Sequence, residues 1–184
     1  MLRDLECVLF SPGQIAERVQ ALADKITADY SGKPLVLVAV VNGAIPFVAD
    51  LMRGIPLPLE FESVRASSYG GGTESSGSPD IVLPLSLDVA GRHVLVVDDI
   101  LDTGHTLSRI VAALRQHGAA SVRTCVLLEK PARNHTGFQA DYAGFTIPDR
   151  FVVGYGLDHA RRYRNLPCIG VLKPPHGNPA TGGP

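Results

Sequence analysis

Tryptophan is missing from this chain, methionine occurs twice and cysteine three times, and neither sign of charge predominates. Each shortage excludes something. Cys7, Cys125 and Cys168 are odd in number and too far apart for a CxxC zinc or redox pattern, so reduced thiols are expected. A net charge of −1 gives no general attraction for nucleic acid or for an anionic membrane surface. Charges interrupt every apolar run of the opening MLRDLECVLF, which leaves no signal-peptide core. Nothing elsewhere approaches the ~20 apolar residues of a membrane span. A soluble, cytoplasmic protein acting on small polar ligands, without nucleic-acid or membrane partners, is therefore expected. Its 184 residues suit one domain with a sizeable core.

What the chain does have is an alternation of apolar strands and amphipathic helices. SPGQIAERVQALADKITADY places Ile15, Val19, Leu22, Ala23 and Ile26 at helical spacing, with Ser11 as N-cap and Pro12 after it. PLVLVAVV, residues 34–41, is apolar without polar alternation, as a parallel strand covered on both faces requires. Asn42-Gly43 ends it. AIPFVADLMRG predicts a helix with Pro46 in its first turn, and LPLEFESVRASSY alternates as a strand. The Gly/Ser cluster SSYGGGTESSGSPD reads as a hairpin loop or flap, with IVLPLSLD returning from it as a strand.

Residues 94–97 then form a buried strand, a helix runs from about 104 to 117, and SVRTCVLLEK is the next strand. Pro148 precedes a last long strand, FVVGYGL, and the charged turn DHARRYRNLP leads to CIGVLK. The terminal PPHGNPATGGP, residues 174–184, is too rich in Pro and Gly to pack and is expected to be disordered. Strands alternating with helices predict a doubly wound α/β sheet, whose ligands bind at the carboxyl ends of the strands beside a topological switch point. The polar strand ends are Asn42-Gly43, Asp98 to Thr106, Lys130 and Asp158.

VLVVDDILDTGHTL carries the most chemistry. Asp98 and Asp99 are adjacent carboxylates at the end of a buried strand, where they repel each other unless they hold a cation, an arginine or sugar hydroxyls. Asp102, before Thr-Gly, reads either as a helix N-cap or as a working group of the site. Thr103, Gly104, His105 and Thr106 offer consecutive amides and two hydroxyls at the positive end of a helix, which is how a phosphate cradle is built. No Walker-type lysine accompanies them, which disfavours nucleoside-triphosphate hydrolysis.

This segment resembles the phosphoribosyl-pyrophosphate (PRPP) signature of type I phosphoribosyltransferases, and the likeness to their hypoxanthine-guanine branch covers nearly the whole chain. LVAVVNGAIPF resembles the branch's pyrophosphate loop, SSYGGGTESSG its mobile catalytic loop, and LLEKPAR with IPDRFVVGYGLD its purine pocket. The resemblance implies a central parallel sheet flanked by helices, a small hood built partly from the C-terminal region, and a flexible lid. It places one domain over residues 1–173, with the lid at 67–77 and the hood mainly at 150–173.

The activity so implied is purine salvage: transfer of 5-phosphoribosyl from PRPP to N9 of hypoxanthine or guanine, giving IMP or GMP and pyrophosphate, with Mg²⁺ as cofactor. By resemblance, the donor's 5′-phosphate lies on Asp102, Thr103, Gly104, His105 and Thr106. Asp98 and Asp99 grip the ribose hydroxyls and the metal. Asp102 serves the purine N7 proton as general base or acid. Asn42, Gly43 and Arg164 bind pyrophosphate, the family often having a cis peptide between Val41 and Asn42, and Ser68 and Tyr69 reach the reactants from the lid. Lys130 donates to the 6-oxo group, Phe151 stacks on the ring, and the Val152 backbone reads its edge. Asp158 belongs to the purine site and is a second magnesium contact. A homodimer or homotetramer is implied as well.

Two positions depart from the pattern. Asp98 stands where this branch usually has glutamate, and Asn42 where lysine or arginine is frequent. A double aspartate also occurs in xanthine-guanine relatives, which makes xanthine an alternative substrate. A nucleotide-sensing RNA-binding regulator of the same fold is the non-enzymatic alternative, and the chain lacks the basic stripe that it needs.

Overall fold

Strand β2 (Leu35–Val41) explains the architecture in miniature. Its alternate side chains go to opposite faces: Leu35, Leu37 and Ala39 join one apolar cluster, and Val36, Val38 and Val40 join another. No polar residue is tolerated because neither face meets water. The computed structural model describes residues 1–65 and 88–173. The predicted lid with Ser68 and Tyr69, all but Asp88 of IVLPLSLD, and the tail lie outside the described residues.

Around β2 is a five-stranded parallel sheet in the order β3-β2-β4-β5-β6, with β3 at Leu59–Arg65, β4 at His93–Leu101, β5 at Ser121–Glu129 and β6 at Tyr142–Thr146. Helices α1 (Pro12–Tyr30) and α2 (Ile45–Gly54) cover one face. Helix α3 (His105–Gln116) covers the other through Leu107, Ile110, Val111 and Leu114. The doubly wound prediction therefore holds. Ser11 caps α1 as expected, in a reciprocal box with Gln14, and Pro12 opens the helix. Phe47 of α2 and Leu37 and Leu95 of the sheet are fully buried in the same cluster.

A second, antiparallel sheet has the order β1-β8-β7, from Leu5–Phe10, Ile169–Leu172 and Val152–Val153. It is the expected hood, with one correction: the chain's first strand, read from sequence only as a short lead, supplies one of its three strands. Strand β6 was missed for a similar reason. Its run YAGFT is only five residues long and broken by a glycine, and it pairs along the edge that β5 offers.

FVVGYGL is the other correction. Only Val152–Val153 is strand; Gly154, Tyr155 and Gly156 all take positive φ (102°, 47° and 98°) and turn the chain back. Two glycines within three residues are a turn signal that the apolar composition obscured.

Candidate active site

The sheet order creates a switch point. From β2 the chain crosses through α2 to β3 on one side, and from β4 it crosses through α3 to β5 on the other. Strands β2 and β4 are neighbours, so their outgoing loops part and leave a crevice between Asn42-Gly43 and Asp98 to Thr106. The two loops are in close contact. A Cβ placed on Gly43 would sit 1.8 Å from Asp99 Oδ2, so any larger residue there must displace the Asp99 carboxylate. The Val41–Asn42 peptide is cis.

Asp98 is buried and Asp99 half-buried, with the Asp98 carboxylate accepting from the Asp99 amide at 2.9 Å. Burial, reinforced by the Asp99 charge, pushes the Asp98 carboxyl well above the usual carboxylate range. Burial also raises Asp99, opposed by hydrogen bonding to Asp98 and to backbone amides and, least, by the Arg164 guanidinium. Two carboxylates in so dry a place are at odds with folding alone and suit a site where cations or hydroxyls complete them.

Helix α3 begins without a side-chain cap. Its N-cap is Gly104, left-handed at φ 89°, not Asp102, which rules out the capping role for that aspartate. The first-turn amides are accordingly left for a ligand at the positive end of the helix dipole. In front of them is a 70 Å³ cradle lined by Asp98, Ile100, Leu101, Asp102, Thr103, Gly104, Thr106 and Leu107. His105 is not among the lining residues.

Asp102 is held from the side. Its Oδ1 lies 2.8 Å from Arg133 Nε, yet this buried oxygen accepts no hydrogen bond, so the pairing is one of charge without alignment. Arg133 follows Lys130 on a short 3-10 turn, Pro131–Arg133, that leaves the end of β5. The next residues lean on the cradle: Thr136 Oγ1 donates to the Thr103 carbonyl at 3.2 Å and fills the space a Gly104 side chain would need. This buttress was not singled out from sequence. Its members are unremarkable polar residues whose partners lie on another strand's loop.

Lys130 is 7 % exposed, a rare state for lysine, which excludes the snorkelling surface side chain. It lines a 400 Å³ cleft with Leu101, Glu129, Asn134 and Phe138, and its Nζ is 3.9 Å from Asp149 Oδ1. Phe151, by contrast, is 54 % exposed and meets His159 edge-on at 5.3 Å, while its neighbour Val152 is buried. A phenylalanine held open by a backbone tied into the hood, where Leu172 N–H donates to the Phe151 carbonyl at 3.0 Å, is not a core residue. Phe151 and Val152 do not line the Lys130 cleft.

Asp158 and Arg164 pair at 2.6 Å, and Arg164 also donates to the Gly156 carbonyl at 2.5 Å. Gly156 brings this turn onto the Asn42-Gly43 loop, since a Cβ there would lie 2.0 Å from the Gly43 carbonyl oxygen. Asn42-Gly43, Asp99, Asp158 and Arg164 are thus gathered at one mouth. Among the described residues no group of three or more His, Cys, Asp or Glu side chains converges as a metal cluster.

The family model for the phosphoribosyl transferase domain matches residues 10–160. The hypoxanthine-guanine phosphoribosyltransferase of Bacillus subtilis is 45 % identical over 95 % of this chain and 97 % of its own. The bifunctional protein TilS/HprT of Listeria innocua is 46 % identical over 95 % of this chain, which spans only 27 % of that longer relative. A crystal structure of a hypoxanthine phosphoribosyltransferase from Staphylococcus aureus superposes with a TM-score of 0.89 at 42 % identity, covering 95 % of each chain. This chain belongs to the phosphoribosyltransferase family, in its hypoxanthine-guanine branch.

Proposed function

We propose that the chain transfers the 5-phosphoribosyl group of PRPP to N9 of a 6-oxopurine, hypoxanthine or guanine, releasing pyrophosphate and forming IMP or GMP. The observation that carries this reading is the junction at the switch point, where an uncapped helix start stands beside the buried Asp98, the half-buried Asp99 and a glycine loop packed on the Asp99 carboxylate. Amides take the 5′-phosphate and carboxylates take the ribose hydroxyls. Opposite ends of one sugar phosphate are thereby served without repulsion.

In the reaction the C1′–oxygen bond to pyrophosphate breaks as the C1′–N9 bond forms. The amides of residues 103–106 fix the phosphate, and Asp98 and Asp99 accept from the 2′- and 3′-hydroxyls, which aims C1′ at the base. Asn42, Gly43 and Arg164 receive the departing pyrophosphate. Lys130 donates to the 6-oxo oxygen; adenine, with an amino donor there, would set donor against donor at that buried ammonium and is rejected. Phe151 stacks on the ring and Val152 reads its edge through the backbone. Asp102 handles the N7 proton. Proton transfer of this kind is worth about 3–5 kcal/mol, against roughly 8–23 kcal/mol for enzymes as a class. Most of the rate therefore comes from alignment and from charge stabilisation at the oxocarbenium-like sugar.

Magnesium is the cofactor the site suits. The donor set is all oxygen, with Asp98 and Asp99 on one side and Asp158 on the other. One or two carboxylates of this kind, completed by substrate and water oxygens, would suffice to hold magnesium. Held there by Asp98, Asp99 and Asp158, magnesium would supply charge neutralisation for the leaving pyrophosphate.

Free thiols at Cys7, Cys125 and Cys168 support a cytoplasmic setting. No described helix is long and apolar enough to cross a membrane. A homodimer or homotetramer is the assembly proposed, and sedimentation equilibrium distinguishes the two. The activity itself is tested by offering hypoxanthine, guanine, xanthine, adenine and uracil separately to purified protein with PRPP and Mg²⁺. Nucleotide should form from the first two and not from adenine or uracil. Preferential use of xanthine would reassign the substrate, and no turnover of any base would refute the reading.

A further inference from the structure

Arg133 lies in a chain of charges that runs from Asp102 to Lys130. Its Nε is 2.8 Å from Asp102 Oδ1 and its Nη1 3.7 Å from Asp149 Oδ1, which in turn is 3.9 Å from Lys130 Nζ. The turn carrying it is locked to the same lysine, since the Arg133 amide donates to the Lys130 carbonyl at 3.0 Å. Asp102 Oδ1 is buried and accepts no hydrogen bond, so the guanidinium is what faces it. The buttress from Asn134 to Phe138 holds this turn against the cradle: Thr136 donates to the Thr103 carbonyl, and Asn134 Nδ2 donates to the Phe138 carbonyl at 2.6 Å.

We infer that Arg133 is a positioning residue for phosphoribosyl transfer, fixing the Asp102 carboxylate at a set separation from the Lys130 ammonium. The inference rests on the proposed role of Asp102 at N7 and of Lys130 at the 6-oxo oxygen. Those two purine atoms sit side by side on one edge of the base, so the groups serving them must keep a matching spacing. Asp102 and Lys130 leave the ends of two different strands, β4 and β5, and a loop carboxylate can otherwise turn about its side-chain bonds. The Asp102–Arg133–Asp149–Lys130 series ties the two together. Both partners of the first pair are substantially exposed, 46 % for Arg133 and 39 % for Asp102, so the contact contributes little to folding. Its effect falls on the geometry of proton transfer, where small displacements are costly.

The separation of kcat from KM distinguishes this from a direct grip on the donor phosphate or a purely structural role. Arg133→Ala should lower kcat by about 10–100-fold, with KM for PRPP and for hypoxanthine within about threefold of the parent. Arg133→Lys, which keeps the charge, should recover much of the loss. In a double-mutant cycle, Asp102→Asn with Arg133→Ala should be no slower than Asp102→Asn alone, because the arginine acts through that carboxylate. An unchanged kcat in both Arg133 variants, a loss carried by KM for PRPP, or full additivity in the cycle would overturn the inference while leaving the role of Asp102 intact. An Asp102→Asn enzyme as fast as the parent would instead remove that role, and the inference with it.

Discussion

At the scale of single residues, the site combines groups that folding alone would not choose. Asp98 and Asp99 are harder to ionise in the folded chain than in the unfolded one, chiefly through burial. Such a raised acid costs nothing while both states are protonated. The cost grows as pH climbs above the ordinary value of 3.8 toward the raised folded value, so ligand-free stability falls over that window. Asp98→Asn should therefore raise the Tm of the ligand-free protein near neutral pH, by about 2–4 °C for each kcal/mol relieved. The gain should vanish toward pH 4, and calorimetry across pH checks both. Donor binding should weaken in the same variant. Asp102→Asn, by contrast, should lower kcat by about 10²–10⁴-fold with KM for PRPP little changed, as steady-state kinetics will show. The carboxylates were legible in the sequence because a strand, three acids and a phosphate-type turn are contiguous. Arg133 and Asp149 were not, since each finds its partners across the fold.

Elements rather than residues decide why two glycines are needed where they are. Gly43 ends β2 against Asp99, and Gly156 brings the hood turn onto the Gly43 carbonyl. Neither requirement can be read from local propensity, because each is set by an approach between loops distant in sequence. Gly43→Ala should force Asp99 aside and raise KM for PRPP by at least about tenfold, while the covered core of α1 and α2 keeps the fold intact. A circular dichroism spectrum and a donor titration test the two halves of that statement. Secondary structure followed the same division. Helix α1 and strand β2 were plain from periodicity and capping, whereas β6 formed on an edge supplied by β5, and FVVGYGL bent at glycines hidden within an apolar run.

For the whole molecule, the two sheets divide the labour. On the proposed function, the parallel sheet presents the donor site at its switch point, and the antiparallel sheet, to which Phe151 is tied through Leu172 and which includes Val152, serves the base. The hood joins opposite ends of the chain: β1 pairs with β8 from Leu5 to Phe10, and β8 in turn pairs with β7. Leu5 packs with Val153, Leu166 and Cys168 in a small cluster of its own. Leu5→Ala should cost about 2–5 kcal/mol of local packing. It should raise KM for hypoxanthine more than KM for PRPP, a ratio measurable by varying each substrate in turn. The N-terminal strand escaped the sequence reading because its six residues carry only one buried side chain and acquire their pattern from β8.

The most direct measurement is a crystal structure of the protein soaked with PRPP and Mg²⁺. Density for the 5′-phosphate against the amides of residues 103–106, with the ribose hydroxyls on Asp98 and Asp99, is the predicted result. Density that places the donor away from the β2/β4 crevice, or reverses it so that pyrophosphate occupies the helix start, would contradict the account.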